Sequence, residues 1–286
     1  MPSPVTTLEI HGLRIRAHEL GAAASERPTV MCLPSTGLSG LQWRRLGKLL
    51  QARGYRVLAL DWIGYGESED WPRARAPFRT EYDVDVAAAL LDRCAGPVHL
   101  VGHSYGGRVG LALALRQPDR IRSLALFEPT CFGVLRSTGD TLGVAELDAY
   151  DHDGRFLADD FGGTPEWVER FVDYWSGPGS FAELDEDERA SWLRSSRKMF
   201  EEVRETALDE VPHTAYAAAL AAVPTLVLSG ATSTVAGRRV SEALAATLPR
   251  ARHVELDEVG HMAPVLAARE VAQLIVDHLA EVDPPA

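Results

Sequence analysis

The chain predicts an α/β fold: a mostly parallel eight-stranded sheet with helices on both faces and an inserted all-helical segment. Three observations carry that expectation. Apolar runs alternate with helical patterns along most of the sequence, the alternation stops between Thr130 and Val223, and a serine stands between two glycines in Gly102-His103-Ser104-Tyr105-Gly106, where a strand run meets a helical one. Strands that follow one another through helices lie parallel, because such a crossover needs a dozen or more residues.

The elements follow in order. Val5 to Ile10 and Leu13 to Leu20 read as strands, and Gly12 between them marks an antiparallel hairpin. Thr29 to Leu33 is a strand, Gln42 to Arg53 a helix, Arg56 to Leu60 a strand, Thr80 to Cys94 a helix and Val98 to Val101 a buried strand. Arg108 to Gln117 is rich in helix formers, and Arg120 to Phe127 is again extended. After the interruption come a strand at Thr225 to Leu228, a helix at Ala236 to Thr247, a strand at Ala251 to Leu256 and a helix at Pro264 to Ala280. The interrupting segment reads as several helices. One starts at Thr164-Pro165-Glu166, with Thr at the cap and Pro in the first turn, and stops at Gly177-Pro178-Gly179; a second spans Asp185 to Thr206. Trp167 and Phe171 recur at helical spacing and read as packing before pocket. The expected division is a core of residues 1–129 and 223–286 with a helical cap over residues 130–222, lying above the carboxyl ends of the strands where open α/β sheets bind ligands. The tail Asp283-Pro284-Pro285-Ala286 reads as frayed.

Composition narrows the function. The 286 residues are 46% hydrophobic and 24% charged, with no apolar run of the roughly 20 residues that span a bilayer. A net charge of −12 without a basic stripe argues against a nucleic-acid partner. The acidic run Glu183 to Glu188 reads as a solvated helix start rather than a metal site. Cys32, Cys94 and Cys131 are too few and too far apart for a disulfide framework or zinc spacing, and read as buried thiols. Met1 to Ile10 has none of the features of a secretory signal, so the expected location is cytoplasmic. Gly64-Tyr65-Gly66 lacks the third glycine and helix start of a dinucleotide loop, so no cofactor is expected. A small-molecule substrate, no nucleic acid, no membrane, and a monomer or homodimer complete the expectation.

Gly102 and Gly106 give the serine motif its meaning. A serine on a sharp strand-to-helix turn is lifted above the sheet, and the residues two before and two after it must be small. A bare Gly-rich turn would match the same motif, so the reading depends on partners. A serine hydroxyl is a poor nucleophile until a base takes its proton, and that base needs an acid to fix its tautomer. His261, in Gly260-His261-Met262-Ala263-Pro264, follows a strand and precedes the last helix, which suits a base. His11 and His18 fall in the hairpin, His99 and His253 in strands, and His278 in the terminal helix; His152 and His213 fall in the cap, where a surface or packing role is favoured.

With the elbow Gly102-His103-Ser104-Tyr105-Gly106-Gly107, the Gly260-His261 loop and Asp61-Trp62-Ile63-Gly64-Tyr65-Gly66-Glu67-Ser68, the chain resembles the α/β-hydrolase-fold superfamily. The resemblance covers the sheet scaffold and is weaker in the cap. It implies that the Asp61 to Ser68 turn shapes the pocket floor. In most members the acid is an Asp after the strand that follows the cap, where this chain reads Ser229-Gly230-Ala231-Thr232-Ser233 and carries no carboxylate. A minority place the acid one strand earlier, where Phe127-Glu128-Pro129 stands, so Glu128 is the candidate acid, with Asp257 and Glu258 as substitutes. A strand cap or a partner for a cap arginine is the competing role for Glu128. The resemblance also implies two oxyanion donors: the N–H of Tyr105 and one in the loop after the third strand, where Leu33-Pro34-Ser35-Thr36-Gly37 departs from the usual His-Gly and puts Thr36 at the donor position.

The expected function is a serine hydrolase acting through an acyl-enzyme on an ester, thioester or lactone. Ser104 is the nucleophile, His261 the base, Glu128 its acid, and Tyr105 and Thr36 the oxyanion hole. The altered oxyanion loop keeps open a second reading, in which His261 is a general base for cyclisation, elimination or carbon-carbon cleavage. A ligand-binding receptor on the same scaffold is the third.

Overall fold

The computed structural model describes residues 4–21, 25–72, 75 and 77–284. Eight strands form one sheet in the order β1-β2-β4-β3-β5-β6-β7-β8. β1 (Val5–Ile10) and β2 (Leu13–Glu19) are an antiparallel hairpin turned by His11 and Gly12, whose φ values of 52° and 68° have the sign that a tight two-residue hairpin turn requires. β2 is antiparallel to β4 (Val57–Leu60). From there every pairing is parallel, through β3 (Val30–Leu33), β5 (Val98–His103), β6 (Ile121–Phe127), β7 (Thr225–Gly230) and β8 (Ala251–Leu256). Every residue of β3, β4, β5 and β7 is buried, which explains why β3 and β4 are continuous apolar runs rather than alternating ones.

The helices of the sheet are α1 (Arg44–Gln51), α2 (Thr80–Leu91) and α3 (Tyr105–Arg116). Those of the insertion are α4 (Gly133–Thr138), α5 (Thr141–Tyr150), α6 (Pro165–Ser176), α7 (Ser180–Glu183), α8 (Glu186–Ala207) and α9 (His213–Ala219). α10 (Val235–Thr247), α11 (Ala263–Leu266) and α12 (Ala268–Val282) follow. Leu46 and Leu50 of α1 share one core with Val271, Ile275 and Leu279 of α12. Val86, Val109 and Val240, from α2, α3 and α10, belong to a second core on the other face, which continues into the insertion through Val134, Trp167, Met199 and Phe200. No helix among the described residues is long and apolar enough to cross a membrane.

The expected start signals in the insertion are present. Thr164 accepts from Trp167 N at 3.2 Å with Pro165 in the first turn, and Asp185 and Glu188 form a reciprocal capping box at the head of α8. The acidic run is therefore a helix start. The three cysteines are free and buried.

Four expectations need correcting. The helix expected over Gln42 to Arg53 is a 3-10 turn, Gly40–Trp43, leading into α1, because Gly40 N–H is held by Asp61 Oδ1 at 2.6 Å against the end of β4. The helix expected over Pro264 to Ala280 breaks at Ala267 (φ −114°, ψ 37°), where the chain turns to lay α12 on α1. The helix expected from Arg108 starts three residues earlier, directly after Ser104. The tail is anchored at Asp283, whose carboxylate meets His99 Nε2 at 2.7 Å and the Arg122 guanidinium; Pro285 and Ala286 lie outside the described residues.

Candidate active site

Ser104 joins β5 to α3 with no intervening loop, at φ 53° and ψ −120°. A non-glycine residue is strained there, at a cost of roughly 1–3 kcal/mol, and the surroundings must hold it. They do so by close packing. A Cβ on Gly102 would come within 2.7 Å of Gly107 Cα, and one on Gly106 within 2.3 Å of the Leu33 carbonyl oxygen and 2.5 Å of that of Pro34. Gly106 thus lets the loop after β3 lie directly on the start of α3. Ser104 N–H donates to the Phe127 carbonyl at 2.9 Å, which ties the elbow to the end of β6.

Glu128 begins where β6 ends, also with positive φ (41°), and is fully buried. Its Oε2 accepts from His261 Nδ1 at 2.6 Å, and its Oε1 accepts from Gly230 N–H at 2.8 Å. The first turn of α10 lies alongside: a Cβ on Gly237 would stand 3.1 Å from Oε2, so the positive end of that helix faces the carboxylate. A buried carboxylate is costly unless both oxygens find donors, and here they do. The pairing fixes the proton of His261 on Nδ1 and leaves Nε2 as the basic nitrogen. The substitutes Asp257 and Glu258 are exposed and make no bond to His261.

His261 is 2% exposed and lines a cavity of about 20 Å³ shared with Ser104, Ser35 and Thr36. The structure therefore brings Ser104, Glu128, His261 and Thr36 together at the carboxyl ends of β3, β5, β6 and β8. Tyr105 contributes the first N–H of α3, a donor that helix geometry leaves without an internal partner. Gly37, at φ 74°, turns the Thr36 loop against Trp192, whose ring leaves no room for a Cβ.

One side chain at the site carried no signal in the sequence. Trp175, at the carboxyl end of α6, lies over the His261 ring with centroids 4.0 Å apart and planes inclined by 32°. It lines the small cavity, a cavity of about 400 Å³ that contains Ser104 and Thr36, and another of about 610 Å³ that His261 also lines. Its place just before Gly177-Pro178-Gly179 marked only a helix end. Phe171, one turn earlier, is both core and cavity wall, whereas Trp167 is core alone. The 400 Å³ cavity has an apolar interior, including Phe132, Leu147, Phe156 and Val203, with the exposed Arg136, Asp148 and His152 at its rim. His152 thus joins the cavity edge, while His213 pairs with Ser137 on the surface.

The Asp61 to Ser68 turn does not form the floor of this cavity. Asp61 is fully buried and accepts from Gly40 N–H, Glu67 N–H and His18 Nε2, so the turn braces the loop that leads from β3 into α1. Its Trp62 Nε1–H donates to the Pro34 carbonyl at 2.8 Å and steadies the Thr36 loop from behind.

Comparison with known proteins identifies the fold family. Residues 28–268 match the family model described as alpha/beta hydrolase fold. The 2-hydroxymuconate semialdehyde hydrolase of Pseudomonas sp. (strain CF600) is 29% identical over 288 residues, covering 95% of this chain and 92% of its own. Among solved structures, a thermophilic esterase from Thermogutta terrifontis superposes with a TM-score of 0.72 at 21% identity, over 98% of this chain and 99% of its own. The enol-lactonase from Burkholderia xenovorans LB400 gives 0.71 at 20% identity, over 96% and 100%. A strained serine between β5 and α3, the parallel sheet beneath it and a family match over most of the sequence place this chain in the α/β-hydrolase fold family.

Proposed function

We propose that this protein is a serine hydrolase that cleaves an ester, thioester or lactone with an apolar acyl part. Ser104 attacks the carbonyl carbon while His261 Nε2 takes its proton; Glu128 keeps His261 in the Nδ1–H form and faces the imidazolium that results. The tetrahedral oxyanion accepts from Tyr105 N–H and Thr36 N–H, each such donor being worth about 2.7–4 kcal/mol in the transition state. His261 returns the proton to the leaving group, and a water activated by the same nitrogen releases the acyl group from Ser104. Residues 130–222 act as the cap that encloses the acyl part, and the 400 Å³ of apolar space beside Ser104 suits a chain or ring of moderate size.

The observation that carries this reading is the 2.6 Å pairing of Glu128 with His261 next to a serine held at positive φ. The intact set of Ser104, Glu128 and His261 argues against a ligand-binding receptor. The similar proteins named hydrolase, esterase and lactonase support the class of reaction.

The test pairs fluorophosphonate labelling with a series of p-nitrophenyl esters and acyl thioesters of graded chain length. Wild-type protein is expected to label and turn over the shorter apolar members, and Ser104→Ala to lose both. Labelling that persists in Ser104→Ala removes Ser104 as nucleophile. Turnover that survives Ser104→Ala and disappears in His261→Ala makes His261 a general base in a reaction without an acyl-enzyme.

A further inference from the structure

Three hydrogen bonds connect the Thr36 loop to the backbone of His261 through two side chains outside the reacting set. Ser35 N–H donates to Gln42 Oε1 at 3.1 Å, Gln42 Nε2 meets His103 Nδ1 at 2.9 Å, and His103 Nε2 meets the His261 carbonyl oxygen at 2.9 Å. The ends dictate the direction of every bond. A carbonyl only accepts, so His103 Nε2 carries the proton; a neutral imidazole then has Nδ1 as its acceptor, and only the Gln42 amide nitrogen can donate to it. That leaves the Gln42 oxygen for Ser35 N–H. One protonation state and one amide orientation satisfy the whole chain.

The surroundings support that state. His103 is fully buried, and burial together with the neighbouring His261 ring holds its pKa well below the ordinary histidine value. Its ring lies 4.9 Å from that of His261 and edge-on to Phe127 at 5.7 Å, so it is confined on two sides. Gln42 sits on the 3-10 turn that Asp61 secures, and His103 is the last residue of β5, directly before Ser104. The relay therefore runs between rigid supports, passing beneath the serine.

We infer that Gln42 and His103 are positioning residues that set the spacing between the Thr36 loop and His261 on either side of Ser104, and that they do so only with His103 as the neutral Nε2–H tautomer. Neither touches the reacting atoms. Their effect arises because the oxyanion donor and the base must serve one tetrahedral centre together, and a displacement of about 1 Å in such a set can cost on the order of 100-fold in rate. The inference rests on the assignment of Ser104 as nucleophile, but its tautomer can be read without any reaction.

The experiment combines labelling rates and ester kinetics with nitrogen NMR of the imidazole rings in the full chain. In wild-type protein His103 is expected to be neutral and protonated on Nε2 from about pH 5 to about pH 9. Gln42→Met removes both of its links without adding charge, and is expected to slow fluorophosphonate labelling and kcat by about 10-fold or more while KM stays within about threefold. Gln42→Glu keeps an acceptor for Ser35 N–H but, when ionised, has no donor for His103 Nδ1. His103 in that variant is expected to show the doubly protonated signature, with slower labelling. A wild-type His103 that titrates in this range or carries its proton on Nδ1 overturns the inference, as does a Gln42→Met protein that labels at the wild-type rate. Should Gln42→Met fail to fold, the wild-type tautomer decides, because the carboxyl introduced in Gln42→Glu donates to His103 Nδ1 whenever it is protonated and then leaves the ring neutral. A wild-type protein that never labels counts against Ser104 instead, and the tautomer measurement then judges the relay.

Discussion

Glu128 has to satisfy two donors at once, and that sets what a substitution there will do. Gly230 N–H and His261 Nδ1–H each approach a different oxygen. Glu128→Gln keeps the size but offers only one accepting atom, so either the backbone of β7 or the imidazole loses its partner. With the wrong His261 tautomer favoured, kcat is expected to fall by roughly 10⁴, as when the acid of a serine-histidine-acid set becomes an amide. Ester kinetics at fixed pH will check it, and a loss smaller than about tenfold would remove Glu128 from the acid role. The residue was legible because a carboxylate closes an apolar strand while the usual place around Thr232 is empty. Its Gly230 contact was not legible, since it depends on how β6 and β7 are brought into register. Trp175 and Gln42 were missed for a similar reason. Each reaches the site from an element distant in sequence, and aromatic spacing or a lone glutamine carries no local sign of that.

The long helix α8 is joined to the sheet by a buried cluster of charges. Lys198 Nζ donates to Asp83 Oδ2 at 2.9 Å and pairs with Glu202; Tyr65 donates to Glu202 Oε2 at 2.7 Å, and Tyr105 to Asp83 Oδ2 at 2.9 Å. One ammonium faces two fully buried carboxylates. Burial is the main cause that pushes the Glu202 carboxyl up to about 7, with the Asp83 charge adding to it and Lys198 opposing; burial raises Asp83 as well. A carboxyl whose folded pKa exceeds its unfolded value contributes stability that is complete below about 4.5 and is lost as pH rises through about 7. Glu202→Gln is fixed in the neutral form. Its melting temperature relative to wild type is therefore expected to climb between about pH 5 and about pH 8, and a difference that stays flat would show that Glu202 does not carry the proton. Lys198→Met should cost about 3–5 kcal/mol at neutral pH, because it leaves both carboxylates without their cation. At this scale the sequence was informative where an element carries its own punctuation. Thr164-Pro165 and the Asp185 capping box were readable; the break at Ala267 was not, since Leu266-Ala267-Ala268 favours continuing a helix and only the packing of α12 on α1 turns the chain.

Across the whole molecule, acid sensitivity is expected to come from histidines buried without charge rather than from the candidate site. His278 on α12 is 3% exposed, and burial, aided by the nearby Arg252 guanidinium, lowers its pKa to about 4; His99 and His103 are lowered by burial too. A base whose folded pKa lies below its unfolded value contributes stability that is complete above about 6.5 and is lost as pH falls toward the folded value. For His278 the loss amounts to on the order of 2 kcal/mol between neutral pH and about pH 5. This opposes the Glu202 effect over much of the same range, so the pH profile of wild-type protein alone identifies neither group. The comparison that separates them is His278→Leu against wild type. The leucine variant lacks the titrating ring and is expected to lose less melting temperature on acidification from about pH 7 to about pH 5, while Glu202→Gln diverges from wild type at the alkaline end. His278 lies at the foot of the sheet beside Pro224 and Arg252, at the opposite ends of the strands from Ser104. Labelling at neutral pH should consequently be unchanged in His278→Leu. If acidification lowers both proteins equally, His278 is not the source of the sensitivity, and the other histidines whose pKa burial lowers, His99 and His103, become the groups to substitute.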